Sequence, residues 1–437
     1  MSETVQGQQN WRVVLAILVC NILFMSASYT MIIPFLPLYL SSELGAAPEY
    51  VNLWSGVVFS ASFLVSAFTA PVWGRMADTR GKRLMAMRAS FLLAVSYFLG
   101  GIVETPEQLV AMRMFQGFAS GLWPMDLAIM TLTAPSKKLG MCLGIMQGVM
   151  TAGGVIGPLV GGVLATAFGM RMSFFLAAGA LFANFLMFVF FIKEPPASVK
   201  AMAELRRRKR LAAQGSAEGQ GGNDGRDGSS ESNENGGSDG TAAPASPQIW
   251  HVPILRNMLL CGTCVSMVIM ILQPILTTYI AALAGDMESI VFVAGLVFSL
   301  GGIAGAFAAP LWGKLGQRRG FFRVMALTML CAGCGLVIQG LPDTLVWFAV
   351  MQFTCGLFLS GVHPSINAVL AEHSSAEIKG RIFGYLFSAQ QIGSMAGPIL
   401  GGAVATFIGM HAVFYVAGAL MVALGLVVRK KYVSSAA

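Results

Sequence analysis

GIMQGVMTAGGVIGPLVGG, residues 144–162, recurs as GYLFSAQQIGSMAGPILGG, residues 384–402. Gly144, Gly153, Gly157, Pro158, Gly161 and Gly162 fall on Gly384, Gly393, Gly397, Pro398, Gly401 and Gly402, displaced by 240 residues. The same displacement places Pro34-x-Leu36-x-x-Tyr39 on Pro274-x-Leu276-x-x-Tyr279, and Phe118-x-Ser120-Gly121-x-x-Pro124 on Phe358-x-Ser360-Gly361-x-x-Pro364. A displacement of 239 brings Gly56-x-x-Phe59-Ser60 onto Gly295-x-x-Phe298-Ser299, and Pro71-x-Trp73-Gly74 onto Pro310-x-Trp312-Gly313. An internal repeat on this scale means two copies of one structural unit.

Composition says what the unit is. Of 437 residues, 56% are hydrophobic and only 11% charged. A soluble domain carries about 25% charged residues, so most of this surface must face lipid. A spanning helix needs about 20 apolar residues, and twelve such stretches can be marked, at about 13–39, 52–72, 84–103, 108–132, 141–167, 172–192, 257–283, 290–311, 323–341, 345–370, 381–407 and 411–428. In lipid their backbone groups must pair internally, so they are read as helices. The expected fold is an all-α membrane protein, two pseudo-symmetric six-helix bundles at 1–194 and 251–437.

Charge sets the expected orientation. Basic residues follow the even-numbered spans: Arg75, Arg80, Lys82 and Arg83; Lys137 and Lys138; Lys193 and Arg206 to Arg210; Lys314, Arg318 and Arg319; Lys379; and Arg429 to Lys431. The odd connections carry Glu43, Glu49, Glu104, Glu107, Asp286, Glu288 and Asp343, with Arg171 as the single basic residue on that side. The positive-inside tendency then puts both termini in the cytoplasm. It also accounts for the net charge of +8 without nucleic acid. No cleaved signal peptide is expected, because no basic residue precedes Arg12. Residues 195–250 begin with a basic stretch and run into GQGGNDGRDGSSESNENGGSDG, which has no apolar residues to bury. They read as a flexible cytoplasmic linker, whose basic stretch serves as a charge anchor or lies near anionic head groups.

Several motifs resemble those of the major facilitator superfamily. GRMADTRGKR at 74–83 is similar to its loop motif between the second and third spans, matching at Gly74, Asp78, Gly81, Lys82 and Arg83, but with Thr79 where a basic residue is usual. The second copy, GKLGQRRGFF, keeps Gly313, Arg319 and Gly320 but has Gln317 in place of the acid. The resemblance implies a conformational latch in which Asp78 meets the positive N-terminal end of the eleventh helix; the plainer reading is topogenic charge. The glycines from Gly144 to Gly162, with Pro158, resemble the fifth-helix motif of proton-coupled antiporters. PFLP at 34–37 resembles the first-helix motif of the twelve-helix drug:proton antiporters, and Arg113-x-x-Gln116-Gly117 a fourth-helix motif linked to proton transfer. NLWSGVVFSASFL and PFLPLYL carry a closer resemblance to bacterial fosfomycin and bile-salt exporters.

Buried ionisable residues are the mechanistic candidates, because charge in hydrocarbon is costly. Asp126 and Arg113 are taken as the proton-coupling pair of sites, about 20 Å apart on a straight helix and unable to pair. Asp126 could equally be a structural acceptor. Arg88 is read as structural. Polar and aromatic residues on the central helices outline a substrate cavity: Asn21, Tyr29, Trp123, Gln147, Gln273, Tyr279, His363, Asn367, Gln390 and Gln391. His363 could titrate there or stay neutral and hydrogen-bonded.

Function follows as export of small amphipathic compounds, drugs among them, in exchange for protons. The alternative is proton-coupled transport of a defined metabolite, a sugar or an organic anion. An enzyme would need clustered His, Asp or Glu, and the four histidines have no ligand spacing. A channel would show a pore loop or charged rings. No cofactor or metal is expected, since Cys261-x-x-Cys264 and Cys331-x-x-Cys334 lie inside apolar stretches as packing residues. The expected partners are a lipophilic small molecule, protons and the bilayer, with the protein a monomer.

Overall fold

The computed structural model describes residues 9–195, 199, 252–285, 290–341, 344–374 and 379–433. Most of the segment 195–250 lies outside the described residues, as do Asp286, Glu288 and Asp343. The described chain is helical, without a strand. Its first half holds α1 (Trp11–Met31), α2 (Leu36–Ser42), α3 (Val51–Arg80), α4 (Lys82–Ile102), α5 (Pro106–Ala119), α6 (Leu122–Thr133), α7 (Ser136–Phe168) and α8 (Met170–Phe190). The second half holds α9 (Pro253–Ile271), α10 (Leu276–Ala284), α11 (Ile290–Arg319), α12 (Phe321–Gln339), α13 (Leu345–Leu359), α14 (Val362–Glu372), α15 (Lys379–Phe407) and α16 (Met410–Val428).

Among the described residues, ten stretches are long and apolar enough to cross a membrane. The other two expected spans have physical reasons to fall short. The fourth is broken into α5 and α6, each shorter than a bilayer needs. The eleventh, α15, is diluted by Ser388, Gln390, Gln391, Ser394 and its glycines. The first span bends where Pro34 and Pro37 lack amide hydrogens, and a 3-10 turn, Ile33–Phe35, joins α1 to α2.

Each half has its own core. One cluster runs from Leu255 to Val428 in the second half, and two others fill the first half. The halves repeat each other in detail. Tyr39 packs on Phe174 and donates to the Gly100 carbonyl at 3.0 Å. Tyr279 packs on Phe414, and His411 approaches the Gly340 carbonyl at 2.8 Å. Trp73 Nε1 donates to Phe118 O at 2.9 Å, and Trp312 Nε1 to Leu357 O at 2.6 Å. The backbone counterpart of Phe118 is therefore Leu357, while the ring that meets the tryptophan is Phe118 in one half and Phe358 in the other, and the backbone displacement along α5 is 239. It returns to 240 by Ser120 and Ser360, so the second half has one extra residue at the break. On this register Arg113 corresponds to Gln352.

Candidate functional site

The halves meet along two helix pairs, α3 with α15 and α7 with α11. The closest backbone approaches fall toward one end. A methyl added to Gly56 would lie 3.0 Å from the carbonyl carbon of Pro398, and one on Gly295 would lie 3.1 Å from that of Pro158. Gly162 and Gly402 meet Phe292 and Leu53 backbone at 3.0 and 3.2 Å. These positions lie at the ends joined by acidic connections. Toward the basic end, Gly74, Gly144, Gly148, Gly313 and Gly384 have nothing within 4 Å. The seam is thus closed at the acidic end and open at the basic end.

The repeated glycine motif builds both sides of this arrangement. Gly153, Gly157 and Gly161, four residues apart on α7, let it touch the backbone of α1 near Ser26, Ala27 and Met31. Pro158 and Gly162, turned away from α1, meet the other half. Gly393, Gly397 and Gly401 do the same for α15 against α9, with Pro398 and Gly402 facing α3. Side chains reinforce the seam. Thr278 Oγ1 donates to Asn52 Oδ1 at 2.8 Å, and Ser299 Oγ to Val155 O at 2.7 Å.

A third bond across the seam leads to the fourth span. Gln391 Nε2 donates to Ser66 Oγ at 3.4 Å, and Ser66 shares a hydrogen bond with Ser120 Oγ at 2.9 Å. Ser120 sits in the gap between α5 and α6, where Gly121 adopts φ 115, a backbone that side chains resist. The break frees the last carbonyls of α5. Arg88 of α4 binds them, its Nη2 2.7 Å from Ser120 O, while its guanidinium lies 3.7 Å from the centre of the Trp73 ring. A cation at a helix C-terminus is favourable in itself. Arg88 thereby links α4 to the break and to Trp73 of α3.

Arg113 and Asp126 lie on opposite sides of the break. Arg113 is 2% exposed. Its Nη1 donates to Gln116 Oε1 at 2.9 Å and its guanidinium lies 5.7 Å from the Phe59 ring, with Tyr29 and Tyr97 within electrostatic reach. Asp126 is fully buried, and neither carboxyl oxygen has a hydrogen-bond partner among the described residues. Its neighbours on the buried face of α6 are Leu122, Met125, Ile129 and Met130. Arg113 and Asp126 form no ion pair.

The expected cavity residues divide. Tyr29, Gln147 and Asn367 are exposed, and Trp123, Gln273, His363, Gln390 and Gln391 are half-buried. Gln390 Nε2 lies 3.2 Å from His363 Nδ1. Two do not line open space. Asn21 is fully buried, its carbonyl accepting from Asn184 Nδ2 at 3.0 Å. Tyr279 is 2% exposed and enclosed by Phe348, Phe414 and His411, because it belongs to the repeated aromatic core rather than to the cavity face. In the second half, a cleft of about 290 Å³ is lined by Gln273, Gln352, Ser360, Gly301, Gly302 and Gly356 among apolar groups, with no charged residue. Gln352 Oε1 accepts from Gln339 Nε2 at 2.6 Å, and Gln273 Oε1 is unpartnered.

The 74–83 motif is mostly helix, since α3 runs to Arg80 and the turn is Gly81 alone, φ 108. Glu194, which no sequence pattern marks, accepts from the backbone amides of Lys82 and Arg83 at 2.8 Å each and caps α4. Arg83 in turn donates to Phe188 O and Val189 O at 3.2 and 2.7 Å. These bonds anchor the motif within its own half. Asp78 is two-thirds exposed and pairs with Lys82.

A sequence profile described as Major Facilitator Superfamily matches residues 18–351 and 258–435. The multidrug resistance protein MdtG of Serratia proteamaculans is 30% identical over 407 residues, 93% of this chain and 90% of that protein. MdtG of Proteus mirabilis is 30% identical over 417 residues, 94% of each. Among solved structures, the nucleoside transporter NupG superposes with TM-score 0.72 at 14% identity, covering 97% of this chain and 100% of that one. A bacterial homologue of the human lysosomal transporter Spinster gives 0.74 at 14%, covering 98% and 99%.

Proposed function

The chain belongs to the major facilitator superfamily of multi-pass membrane transporters, and on that premise we propose that it exports lipophilic, drug-like compounds in exchange for protons. The similarity to multidrug resistance proteins supports the substrate class. In this reading the membrane is the bacterial inner membrane, the basic end is cytoplasmic, and both termini and the segment 195–250 lie there. The conformation described above is then inward-open. The two halves, 1–194 and 251–437, rock about the seam, and one chain carries a whole cavity and works as a monomer. Substrate enters among Tyr29, Gln147, Gln273, His363, Asn367, Gln390 and Gln391.

One observation carries the coupling: Asp126 is a fully buried carboxyl group with no hydrogen-bond partner among the described residues. Burying an unpaired carboxylate is expensive, which makes Asp126 the group best suited to carry the coupled proton. The route to it is mechanical. Opening the seam at the acidic end breaks the bond from Gln391 to Ser66, the residue bonded to Ser120 at the break. Movement of α6 on that break then alters the surroundings of Asp126. Arg113, on the far side of the break, is the second buried ionisable group of this span.

The test is pH-jump transport in proteoliposomes with a panel of lipophilic compounds. Export should stop when a protonophore collapses the gradient. Asp126→Asn should abolish gradient-driven accumulation while substrate binding and thermal stability are retained. Export that continues unchanged with the protonophore, or in Asp126→Asn, overturns the coupling.

A further inference from the structure

We propose that the outer groove between α1 and α7 binds one anionic phospholipid, with its head group at the basic end and an acyl chain along the two helices. The groove has two parts. At the basic end a cleft of about 450 Å³ is lined by Trp11, Arg12, Leu15, Lys138, Met141 and Ile145. Further along the same pair of helices, joined there by α8, a second cleft of about 260 Å³ is lined by Leu23, Phe24, Ala27, Ile156 and Val160 and is almost wholly apolar.

The two parts lie in one line. On α1, Leu15, Leu23 and Ala27 are separated by eight and four residues; on α7, Met141, Ile145, Ile156 and Val160 are separated by four, eleven and four. Spacings of four and eleven return to nearly the same helix face, and a spacing of eight stays within a quarter turn of it. Met141, Ile145, Ile156 and Val160 are each more than 40% exposed, an apolar stripe that only lipid can cover. Gln147 and Thr151 lie on the other side of α7. The groove is therefore separate from the substrate cavity.

Charge selects the head group. Arg12 and Lys138 have no carboxylate partner among the described residues. The Arg12 guanidinium sits 5.4 Å from the Trp11 ring, and tryptophan favours the membrane interface. Both α1 and α7 begin here, so two positive helix ends add to the two cations. Length agrees as well. From Arg12 to Leu23 is about 16 Å of helix, and one leaflet of hydrocarbon is about 15 Å thick. A phosphate at Arg12 and Lys138 thus places its chain in the upper cleft.

Native mass spectrometry of the full chain in detergent tests this, with phosphatidylglycerol, phosphatidylcholine of the same chains, and inorganic phosphate as probes. One phosphatidylglycerol should be retained in preference to phosphatidylcholine, and phosphate should not displace it. Arg12→Gln with Lys138→Gln should lower phosphatidylglycerol affinity by roughly thirtyfold, each surface cation contributing about a factor of five. Val160→Trp, which fills the exposed upper cleft, should weaken both lipids. Lys314→Gln with Arg318→Gln, equal charge removed from the other half, should change neither. The proposal is overturned if the double Gln variant keeps the parent's preference or the control pair loses as much. Displacement by phosphate, or Val160→Trp binding as the parent does, overturns it equally.

Discussion

Arg88 shows how one side chain supports a function it never touches. It supplies donors to the carbonyls that the break exposes and covers its own charge with Trp73. A charged hydrogen bond contributes about 1.5–3 kcal/mol and a desolvated cation–π contact about 2 kcal/mol. Arg88→Leu should therefore destabilise the first half by about 3–5 kcal/mol, read as a lower midpoint of thermal unfolding in detergent. Arg88→Lys keeps the charge but loses the planar guanidinium that lies on Trp73, and should recover less than half of the loss. An unchanged midpoint in Arg88→Leu would mean that the break holds without it. The position of Arg88 in an apolar span is visible in the sequence. Its partners, Ser120 and Trp73, are 32 and 15 residues away and are not.

At the scale of the helix, the glycine repeat separates two roles that look alike in sequence. Gly56 and Gly295 touch proline carbonyls across the seam, whereas Gly74 and Gly313 touch nothing. Overpacking a close contact costs about 1–3 kcal/mol, equivalent to roughly a five- to hundredfold shift between two states. Gly56→Ala and Gly295→Ala should therefore push the population away from the acidic-end-closed form, while Gly74→Ala should not. Pairs of spin labels across the acidic-end connections, one in each half, would report longer distances in the first two variants. The same short distance in Gly295→Ala as in the parent would show that the seam yields elsewhere. Gly157→Ala differs in kind, because it faces Ala27 and Thr30 within its own half. It should lower stability without shifting that distance.

For the whole molecule, what matters is which end of the seam is shut. Asp78 stands at the open end, exposed and bound to Lys82, while Gly81, Lys82 and Arg83 are tied to Glu194 and α8. We propose that closing the basic end brings Asp78 to the positive end of α15. Such a contact contributes up to about 2 kcal/mol, enough to shift a balanced equilibrium about thirtyfold. Asp78→Asn should favour the basic-end-open state and slow turnover with folding intact, seen with labels across the basic-end connections. An unchanged distance distribution with normal transport would reduce Asp78 to a topological marker. Deleting Gly215 to Gly240, a stretch with no apolar residue to pack, should leave transport nearly intact if the rest still spans the halves. Loss of transport at normal expression would give the segment a specific role.

Span positions, the duplication and the motif glycines could be read from one dimension because lipid leaves the backbone no choice but helices, and close helix contact requires small residues. Those features are local, or repeat at a fixed displacement. The burial of Tyr279 and Asn21 could not be read this way, since a polar residue on a central helix faces cavity or bundle according to which neighbour packs there. The extra residue that sets Arg113 opposite Gln352 shows only through the matched Trp73 and Trp312 bonds. The isolation of Asp126, the chain from Gln391 to Ser120, and the cap made by Glu194 join residues from separate helices. Packing in three dimensions creates them, and no spacing along the chain encodes them.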